Sequence, residues 1–428
     1  MFPPAGGIAV QRALSFARYL PEAGVDVEVL TARNPAVPVI DPGLLDKVPP
    51  QVRIHRTFTP EISFAMRQRI WRLMSGGKKN GAQPAATAKK AAPPGGKKGL
   101  AQIARSILTP DPEVVWVPFA RHAAVRLLNE RPFDAVMTTA PPFSTLMVGT
   151  YLKKRFPHIR LISDFRDEWL NFYLNTFDFH SSPSIRKKAA GIEREVADQS
   201  DLILSVTPGI VAELQGRYPH LPASRFACIP NGYDPASFRD FRPRPHGRGK
   251  VVITHAGTVY KSSAPTAFLD ALDALPDEIR QRFEIRFAGR VSDDVKSVFD
   301  GRKADLRFLG FLPQAEALKM LEETDYLMVT LLDSHHVTGK LFEYLATGKP
   351  ILAFTPAGGE LDRLLAETGM GQCADPADRA ACLHLLLRAE QAQRSGEAFS
   401  VPCPDAVRRY ERPAHAAQLA ALLEAANA

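Results

Sequence analysis

The stretch DYLMVTLLDSHHVTGKLFEYLATGKPILAF, residues 325–354, predicts a strand, a helix and a second strand. The two outer runs are short, continuous and apolar, which is typical of parallel strands that are buried on both faces. Between them, KLFEYLATG (340–348) carries its apolar residues at helical spacing. Two buried strands joined by a helix form the repeating unit of a parallel sheet, so this stretch predicts an α/β fold.

The same alternation of apolar runs and helical patterns occurs twice along the chain. It therefore predicts two doubly wound, Rossmann-like domains that face each other across a cleft, where ligands of such sheets bind. The boundaries that we predict are an N-terminal domain at 1–232, a linker at 233–250, a C-terminal domain at 251–403 and a final helix at 404–428. The predicted strands are 25–32, 52–58, 134–140, 160–165 and 201–207 in the first half, and 251–259, 283–291, 305–311, 325–332 and 350–356 in the second.

Length, hydropathy and cysteine spacing exclude several classes of protein. The chain has 428 residues, enough for two domains, and no apolar run reaches the ~18 residues that span a bilayer. Its start, MFPPAGG, has the pattern of neither a signal peptide nor a transit peptide. The four cysteines are far apart, and no histidine or cysteine cluster has metal-ligand spacing. We therefore expect a cytoplasmic protein without a metal site or cofactor.

The net charge of +8 is concentrated in one region. Residues 76–98 contain six lysines and no acid among Gly, Ala and Pro, a composition that predicts a disordered basic insert. Just before it, residues 62–74 combine apolar and arginine side chains. Two interpretations remain open: an ordinary surface helix, or a region (62–98) that binds an anionic membrane surface on the inner face of the cell membrane. Nucleic acid is not expected as a partner, because no recognition motif accompanies the charge.

The polar segment inside the opening stretch is suited to a phosphate group. Thr338 is a good N-cap, and Gly339 and Lys340 follow in the first helical turn, where free N–H groups and the helix dipole attract anions. Glu343 lies one turn later and can accept hydrogen bonds from ribose hydroxyls. The alternative is a capped core helix whose Glu343 faces solvent.

Six segments occur in order that together resemble the retaining GT-B glycosyltransferases of family four. The resemblance covers nearly the whole chain apart from residues 76–98. It implies that the C-terminal domain binds a nucleotide-sugar donor, that the N-terminal domain binds a saccharide or lipid-linked acceptor, and that the last helix packs back on the N-terminal domain. The six segments are FPPAGGIAVQRALSFARYLPEAGVDVEVLT (2–31), TTAPPFST (138–145), DFRDEW (164–169), PNGYDPASF (230–238), HAGTVY (255–260) and KLFEYLATGKPILAF (340–354).

The resemblance assigns donor-binding roles to individual residues. Glu343 matches the glutamate that holds the donor ribose, and Thr338, Gly339 and Lys340 match the helix end that meets the diphosphate. The remaining donor-side candidates are the glycine-rich first loop at Gly6 and Gly7, Thr258 and Lys261 after the first C-domain strand, and Arg290 after the next one. The loop at Gly6 and Gly7 would let the backbone approach either the donor phosphates or the acceptor. For Lys261 and Arg290, a solvated loop charge is the alternative.

Two positions depart from the family pattern. His335 stands eight positions before Glu343, where the family has a first glutamate that touches the donor sugar. After the strand LISDF, the chain has Asp164, Arg166 and Asp167 where many relatives carry a histidine. These three residues resemble a variant found among bacterial sugar transferases, in which the carboxylates would bind acceptor hydroxyls and Arg166 would orient them. The alternative is a structural Arg–Asp pair at the end of a strand.

The predicted reaction is a front-face displacement with retention of configuration, in a pathway of cell-surface polysaccharide synthesis. The helix N-terminus and Lys340 would stabilise the leaving diphosphate, and one of its oxygens would take the acceptor proton. Two other functions remain open: a GT-B-fold sugar-nucleotide epimerase, which needs no acceptor, and a non-catalytic partner of another transferase.

The resemblance begins at FPPAGG, which in this family follows the first strand of the N-terminal domain. In a doubly wound sheet that strand is central, between the strands at 25–32 and 134–140. We therefore expect the natural protein to begin upstream, with a further strand rich in Val, Ile and Leu. In the chain as given, the N-domain sheet should show a gap at that place.

Overall fold

The computed structural model describes residues 1–37, 39–61, 108–174, 183–243 and 249–425. The chain divides into two compact units: unit 1 comprises Met1–Pro230 and His415–Ala428, and unit 2 comprises Asn231–Ala414. The predicted disordered insert (76–98) and basic helix (62–74) lie outside the described residues. None of the helices within the described ranges combines the length and the hydropathy that a membrane span requires.

Unit 2 contains one continuous sheet of six parallel strands in the order β12-β11-β10-β7-β8-β9. Its strands are β7 (Val251–Ala256), β8 (Phe283–Ala288), β9 (Leu306–Gly310), β10 (Tyr326–Thr330), β11 (Ile351–Phe354) and β12 (Gly371–Ala374). Its helices are α6 (Thr266–Asp273), α7 (Asp277–Arg280), α8 (Gln314–Glu322), α9 (Gly339–Thr347), α10 (Glu360–Thr368), α11 (Arg379–Ser395) and α12 (Pro404–Arg408).

Successive residues of the central strands enter opposite cores, as pleated strands require. Tyr326 and Met328 of β10 belong to the core that also contains Phe268 of α6 and Leu386 of α11. Leu327 and Val329 belong to the other, which contains Leu341 and Phe342 of α9 and Leu361 of α10. Because both faces of the sheet are covered, its strands are apolar throughout. This is why the apolar runs within residues 325–354 predict a parallel sheet.

Unit 1 is also built from parallel strands, but its sheet is in two parts. β1 (Glu28–Ala32) pairs with β2 (Arg53–Thr57), and a second sheet has the order β3-β4-β5-β6. The four strands of that sheet are β3 (Ala135–Ala140), β4 (Arg160–Phe165), β5 (Leu202–Ser205) and β6 (Phe226–Cys228). The helices are α1 (Ile8–Tyr19), α2 (Val117–Glu130), α3 (Leu146–Arg155), α4 (Pro183–Gln199) and α5 (Pro208–Arg217).

The predicted interruption of the N-domain sheet is confirmed. In the described part of the chain, β1 and β3 do not pair with each other, and each is an edge strand of its own sheet. Helix α1 packs against both parts: Leu14 shares a core with Val52, whereas Phe16 shares one with Ile162 and Leu204. The two parts are therefore held as one unit by a helix.

The predicted single C-terminal helix is wrong in its continuity. The chain forms α12, breaks, and resumes as α13 (Arg412–Glu424). At the break, the N–H of Tyr233 donates to Tyr410 O at 3.0 Å, and the N–H of Arg412 donates to Tyr233 O at 2.9 Å. This short parallel bridge uses backbone groups that a continuous helix would keep for itself. The bridge also places Tyr233, which we assigned to the linker, in the core of unit 2.

Candidate functional site

The candidate donor site begins where two neighbouring strands of unit 2 diverge. β7 pairs with β8 over six positions, Val251–Ala256, but with β10 only at Ile253 and Thr254. Along the chain, β8 and β9 extend the sheet on one side of β7, and β10, β11 and β12 then extend it on the other side. Such a reversal leaves a crevice outside the carboxyl ends of the strands, where ligands of doubly wound sheets bind.

Two side chains bond backbone groups where β7 and β10 diverge: Tyr344 bonds Ala256 of β7, and His255 of β7 contacts Met328 of β10. The Tyr344 hydroxyl accepts from the N–H of Ala256 at 2.7 Å and donates to Ala256 O at 3.3 Å. His255 Nδ1 lies 3.2 Å from Met328 O, and burial and the nearby Lys340 charge lower the pKa of His255 to about 3. The fully buried Tyr344 thus fixes α9 to the end of β7, and a neutral imidazole lies beneath them.

Two glycines that follow neighbouring strands allow the Lys340 amine to lie directly against the backbone. Gly257 follows β7 and Gly289 follows β8, and both have a φ of 128°, which side chains rarely adopt. A Cβ at Gly257 would lie 1.6 Å from Lys340 Nζ, and a Cβ at Gly289 would lie 2.5 Å from the Gly257 carbonyl carbon. Any larger residue at Gly257 would therefore displace the Lys340 amine.

Lys340 is the predicted residue that the structure places most clearly in this crevice. Its ammonium group donates to Thr258 O at 3.3 Å, a long hydrogen bond. Burial lowers the pKa of Lys340 to about 8, and the carboxylate of Glu343 acts in the opposite direction. A mostly charged amine that is half-buried and weakly bonded is well suited to receive an anion.

Lys340 is the second residue of α9, so its amine lies within one side-chain length of the N-terminus of that helix. Thr338 is the N-cap, as predicted, but its side chain makes no capping hydrogen bond. Gly339 and Lys340 therefore begin a helix whose first N–H groups have no capping side chain to serve them. Glu343 is exposed on a helix that buries Leu341, and it lies on the same face as Lys340.

The loop that enters α9 is organised by a residue that the sequence analysis did not single out. Asp333 Oδ1 accepts the N–H groups of His335 at 2.8 Å and His336 at 3.0 Å, and lies 2.6 Å from His336 Nδ1. The His336 side chain and these N–H groups lower the pKa of Asp333 to about 2. His335 itself is exposed, and its backbone is held at the entrance to α9.

A second helix begins beside the first. Gly358 has a φ of 70°, and the N–H of Glu360 at the start of α10 donates to Ser334 O at 2.8 Å. A Cβ at Gly359 would lie 3.1 Å from Ser334 O. The loops before α9 and α10 therefore pack together. A helix near 358–368 is predicted from sequence, but the loop before it was not assigned to the site, although PAGGE (356–360) after a buried strand was a signal for it.

The loops after β7 and β8 carry the other predicted donor-side residues. The N–H of Val259 donates to Arg290 O at 2.9 Å, and the N–H of Ser292 donates to Val259 O at 3.0 Å. These bonds join the loop of Thr258 to that of Arg290. Lys261 and Arg290 are both exposed, so their side chains can move towards a ligand.

In unit 1, Asp164 is engaged in a buried ion pair. Its carboxylate accepts from Arg12 Nη2 at 2.8 Å and from Arg12 Nε at 3.0 Å, and Thr139 donates to it at 2.7 Å. Arg12 also donates to Pro230 O at 2.9 Å. The Asp164 side chain is 0% exposed and that of Arg12 is 6% exposed. This arrangement joins α1, β3, β4 and the segment after β6. The sequence signal that we missed was Arg12 within the apolar pattern of α1.

Arg166 holds the loops next to this pair. Its guanidinium donates to Ala140 O at 3.2 Å and to the carbonyl oxygens of Ala9 and Pro141. Asp167 follows and is half-buried. Gly6 donates its N–H to Val39 O at 2.9 Å, and Gly7, with a φ of 88°, is the uncapped N-cap of α1. Arg166 therefore fixes the start of α1 relative to the end of β3, whereas Gly6 and Gly7 form the turn into α1.

Comparison with known proteins gives both a family and a fold. A family model described as a glycosyl transferase 4-like domain matches residues 6–232. A curated protein, the probable glycosyltransferase WbjE of Pseudomonas aeruginosa, is 32% identical over 146 residues, which cover 33% of this chain and 36% of that protein. The match thus spans about a third of this relative's length.

Solved structures resemble the chain over almost its whole length. A sucrose-phosphate synthase from Thermosynechococcus elongatus superposes with a TM-score of 0.61 at 13% identity, covering 96% of this chain and 92% of that one. HepE of Anabaena, in complex with UDP and glucose, superposes with a TM-score of 0.58 at 14% identity, covering 99% and 98%. Identities this low indicate a shared fold, and the predicted GT-B architecture is confirmed.

Proposed function

Because this chain belongs to the glycosyl transferase 4-like family, we propose that it transfers a hexosyl group from a nucleotide-sugar donor to a hydroxyl of a saccharide or lipid-linked acceptor. The observation that carries the proposal is the Lys340 amine, held against Gly257 where β7 and β10 diverge, beside the start of α9. The relatives support the class of reaction: WbjE is named a probable glycosyltransferase, and HepE was crystallised with UDP and glucose.

The diphosphate of the donor would bind at Lys340 and the N-terminus of α9. There the amine and the first N–H groups of the helix supply positive charge without a metal ion. Glu343, exposed on the same face, would accept hydrogen bonds from the ribose hydroxyls. Thr258, Lys261, Arg290 and His335 lie in loops that end at or next to this crevice, and would surround the remaining phosphate and sugar groups.

Transfer would proceed by front-face displacement with retention of configuration. The acceptor hydroxyl oxygen forms a bond to C1 of the sugar while the bond from C1 to the diphosphate oxygen breaks, and the hydroxyl proton passes to a diphosphate oxygen. Lys340 and the helix N-terminus stabilise the charge that develops on the leaving group. The protein then contributes mainly orientation and electrostatics.

In unit 1, Arg166 and Asp167 remain the candidates for acceptor binding, together with the turn at Gly6 and Gly7. Asp164 has a positioning role in this proposal, because its carboxylate is buried against Arg12 and Thr139. The basic region 62–98 would bind an anionic membrane on its cytoplasmic face and bring the enzyme to a lipid-linked acceptor. Removing 76–98 should then weaken binding to anionic vesicles, and high salt should have the same effect.

A binding panel followed by product analysis tests the proposed function. The full chain is titrated with UDP-, GDP- and ADP-sugars, and the preferred donor is then incubated with and without saccharide acceptors. Transfer that depends on the acceptor, giving a product with the anomeric configuration of the donor, is the expected result. Conversion of the sugar nucleotide without any acceptor would instead identify an epimerase, and failure to bind any nucleotide would indicate a non-catalytic partner.

A further inference from the structure

The loop that follows β4 leaves two residues accessible between buried neighbours. In DFRDEW (164–169), Arg166 and Asp167 are half-buried, whereas the other four residues are buried. These two side chains are therefore the part of the loop that an acceptor can reach. On the amino-terminal side, the loop is anchored by the ion pair of Asp164 with Arg12. A second anchor after Asp167 would fix the stretch between them.

Glu168 supplies the second anchor. Its carboxylate accepts from Arg217 Nη2 and from the N–H of Asn171, the latter at 2.6 Å. Arg217 lies at the end of α5 and also donates through Nη1 to Glu193 of α4 at 2.5 Å. Tyr218 donates to the same Glu193 oxygen at 2.8 Å. These four side chains, Glu168, Glu193, Arg217 and Tyr218, form the Arg217 cluster, which joins the loop after β4 to two helices.

The residue after Glu168 strengthens this anchor. Trp169 stacks on Phe143 in the loop after β3, with the ring centroids 4.4 Å apart and an angle of 8° between the ring planes. Both rings are fully buried. Only three residues lie between the two ion-paired carboxylates, so the backbone has little freedom at Asp167.

The charges of the Arg217 cluster are not balanced, which argues against a role in stability alone. Two carboxylates share one guanidinium, and the side chains of Glu168 and Glu193 are both 0% exposed. Both Glu168 oxygens accept hydrogen bonds, whereas Glu193 Oε2 has no partner among the described residues. Apolar side chains of similar volume often stabilise a core at least as well as a buried ion pair does. What the planar guanidinium adds is a fixed geometry between the groups that it joins.

We propose that Glu168 is a positioning residue for the acceptor: its contact with Arg217 holds Arg166 and Asp167 in the arrangement that binds acceptor hydroxyls. The inference rests on the acceptor role proposed above for these two residues. Glu168 itself does not touch the acceptor, because its carboxylate is buried and both oxygens bind protein donors. It acts through the orientation of its neighbours, and a small misplacement of binding groups is enough to weaken catalysis strongly.

Two substitutions and a matched control test the proposal in the full chain. Glu168→Gln keeps the shape of the side chain but removes its charge, and Arg217→Lys keeps the charge but removes the two-pronged contact. Glu195→Gln, the control, removes an exposed glutamate of α4 that pairs with Lys154. Below the thermal midpoint of each protein, we expect either cluster substitution to raise KM for the acceptor about tenfold and to leave Kd for the donor within about twofold. The control should change neither.

Amide hydrogen exchange gives a readout that does not depend on sugar transfer. The N–H of Arg166 donates to Ala140 O at 3.0 Å, and that of Asn171 donates to Glu168. Both amides should exchange about tenfold faster in Glu168→Gln, because the loop loses one of its two anchors. In Glu195→Gln they should exchange at the rate of the parent.

Three results would overturn the proposal. If KM for the acceptor keeps the parent value in folded Glu168→Gln, the cluster has only a structural role. If donor Kd weakens as much as acceptor KM rises, the disturbance is not confined to the acceptor loop. If exchange at Arg166 is unchanged, Glu168 does not hold the loop. A parent that transfers sugar to no acceptor would refute the proposed function and this inference with it, and that failure is seen before any substitution is made.

Discussion

Each unit places a charged side chain at the carboxyl end of its sheet, Asp164 buried and Lys340 half-buried, but the two charges have different surroundings. In unit 1, Asp164 accepts hydrogen bonds at 2.8 Å and 3.0 Å from Arg12 and at 2.7 Å from Thr139. In unit 2, the Lys340 amine donates to a carbonyl at 3.3 Å. The first charge is satisfied by the protein and the second only weakly. We infer that Asp164 supports the fold, whereas Lys340 is placed to bind a ligand.

Breaking the satisfied pair should have the largest effect on stability. Asp164→Ala leaves Arg12 buried without its anion, which should lower the free energy of unfolding of unit 1 by about 3–5 kcal/mol. Urea titration followed by tryptophan fluorescence measures this, because the tryptophans are all in that unit. Asp198→Ala removes an exposed aspartate that pairs with His220 and should change the same quantity by less than ~1 kcal/mol. An equal loss in both variants would contradict the distinction.

Removing the weakly bonded charge should instead affect ligand binding. Lys340→Ala should weaken binding of the preferred nucleotide by about 1.5–3 kcal/mol, roughly 10- to 150-fold, because a charge-assisted contact to the diphosphate is lost. The unfolding transition should not shift to lower urea. Calorimetric titration measures affinity, and Lys319→Ala, at an exposed lysine of α8, is the control. Unchanged affinity in Lys340→Ala would refute the site.

Glu343→Ala examines the ribose end of the same site. The carboxylate is exposed, so its loss should leave the fold intact but weaken nucleotide binding by about 1.5–3 kcal/mol. The deoxyribose analogue of the same nucleotide should lose affinity for the parent and little further for the variant. Glu316→Ala on α8 serves as the control. If the parent and the variant bind the nucleotide equally well, the ribose assignment is wrong.

Tyr344→Phe tests whether the crevice is held open by the hydroxyl that bonds Ala256. The substitution leaves the partly buried N–H of Ala256 without its acceptor, at a cost of about 1–2 kcal/mol. Amide exchange at Ala256 and along α9 should accelerate by roughly tenfold, with a smaller loss of nucleotide affinity. Tyr260→Phe, at a half-exposed tyrosine in the neighbouring loop, should leave both unchanged. Unaltered exchange at Ala256 would show that Tyr344 does not fix α9.

The pH dependence sharpens the comparison further. Burial lowers the pKa of Lys340 to about 8, so nucleotide affinity should fall by up to about tenfold per pH unit above ~8. Stability without ligand should move in the opposite direction. Between pH ~8 and ~10.5 the unfolded state binds more protons at this lysine, so its contribution favours folding as pH rises. Lys340→Arg should flatten the affinity profile, and a parent profile that is already flat would exclude Lys340 from phosphate binding.

Much of unit 2 could be predicted from sequence because its strands and helices have clear local patterns of apolar residues. The buried strands at 325–332 and 350–356 and the helix between them depend on apolar spacing, and the structure places them within a few residues of prediction. Thr338, Gly339 and Lys340 could be assigned to a helix start for the same reason. The packing of Lys340 against Gly257 could not, because it joins residues far apart in the chain.

The ion pair in unit 1 is a second contact between residues far apart in the chain that local sequence does not predict. Asp164 was visible as an acid at the end of a strand, but Arg12, more than a hundred residues earlier, decides what that acid does. The break between α12 and α13 uses backbone bonds to Tyr233 that the sequence does not show, although Pro413 inside the predicted helix was a local signal for a break. Local pattern predicts elements, whereas the partner of a buried polar group is set by tertiary contacts.

The path of the chain through the two units bears on the order in which a ribosome could let them fold. Leu419 and Ala416 of α13 complete the core around Ile162 and Leu204, and Arg160 donates to Leu422 O at 2.7 Å. Unit 2 is one continuous segment that ends at Ala414, so all its residues emerge before the part of α13 that belongs to unit 1. Most of unit 1 is synthesised first, but its core can be completed only after α13 has been synthesised. Until then the nascent chain exposes the apolar surface that α13 will cover.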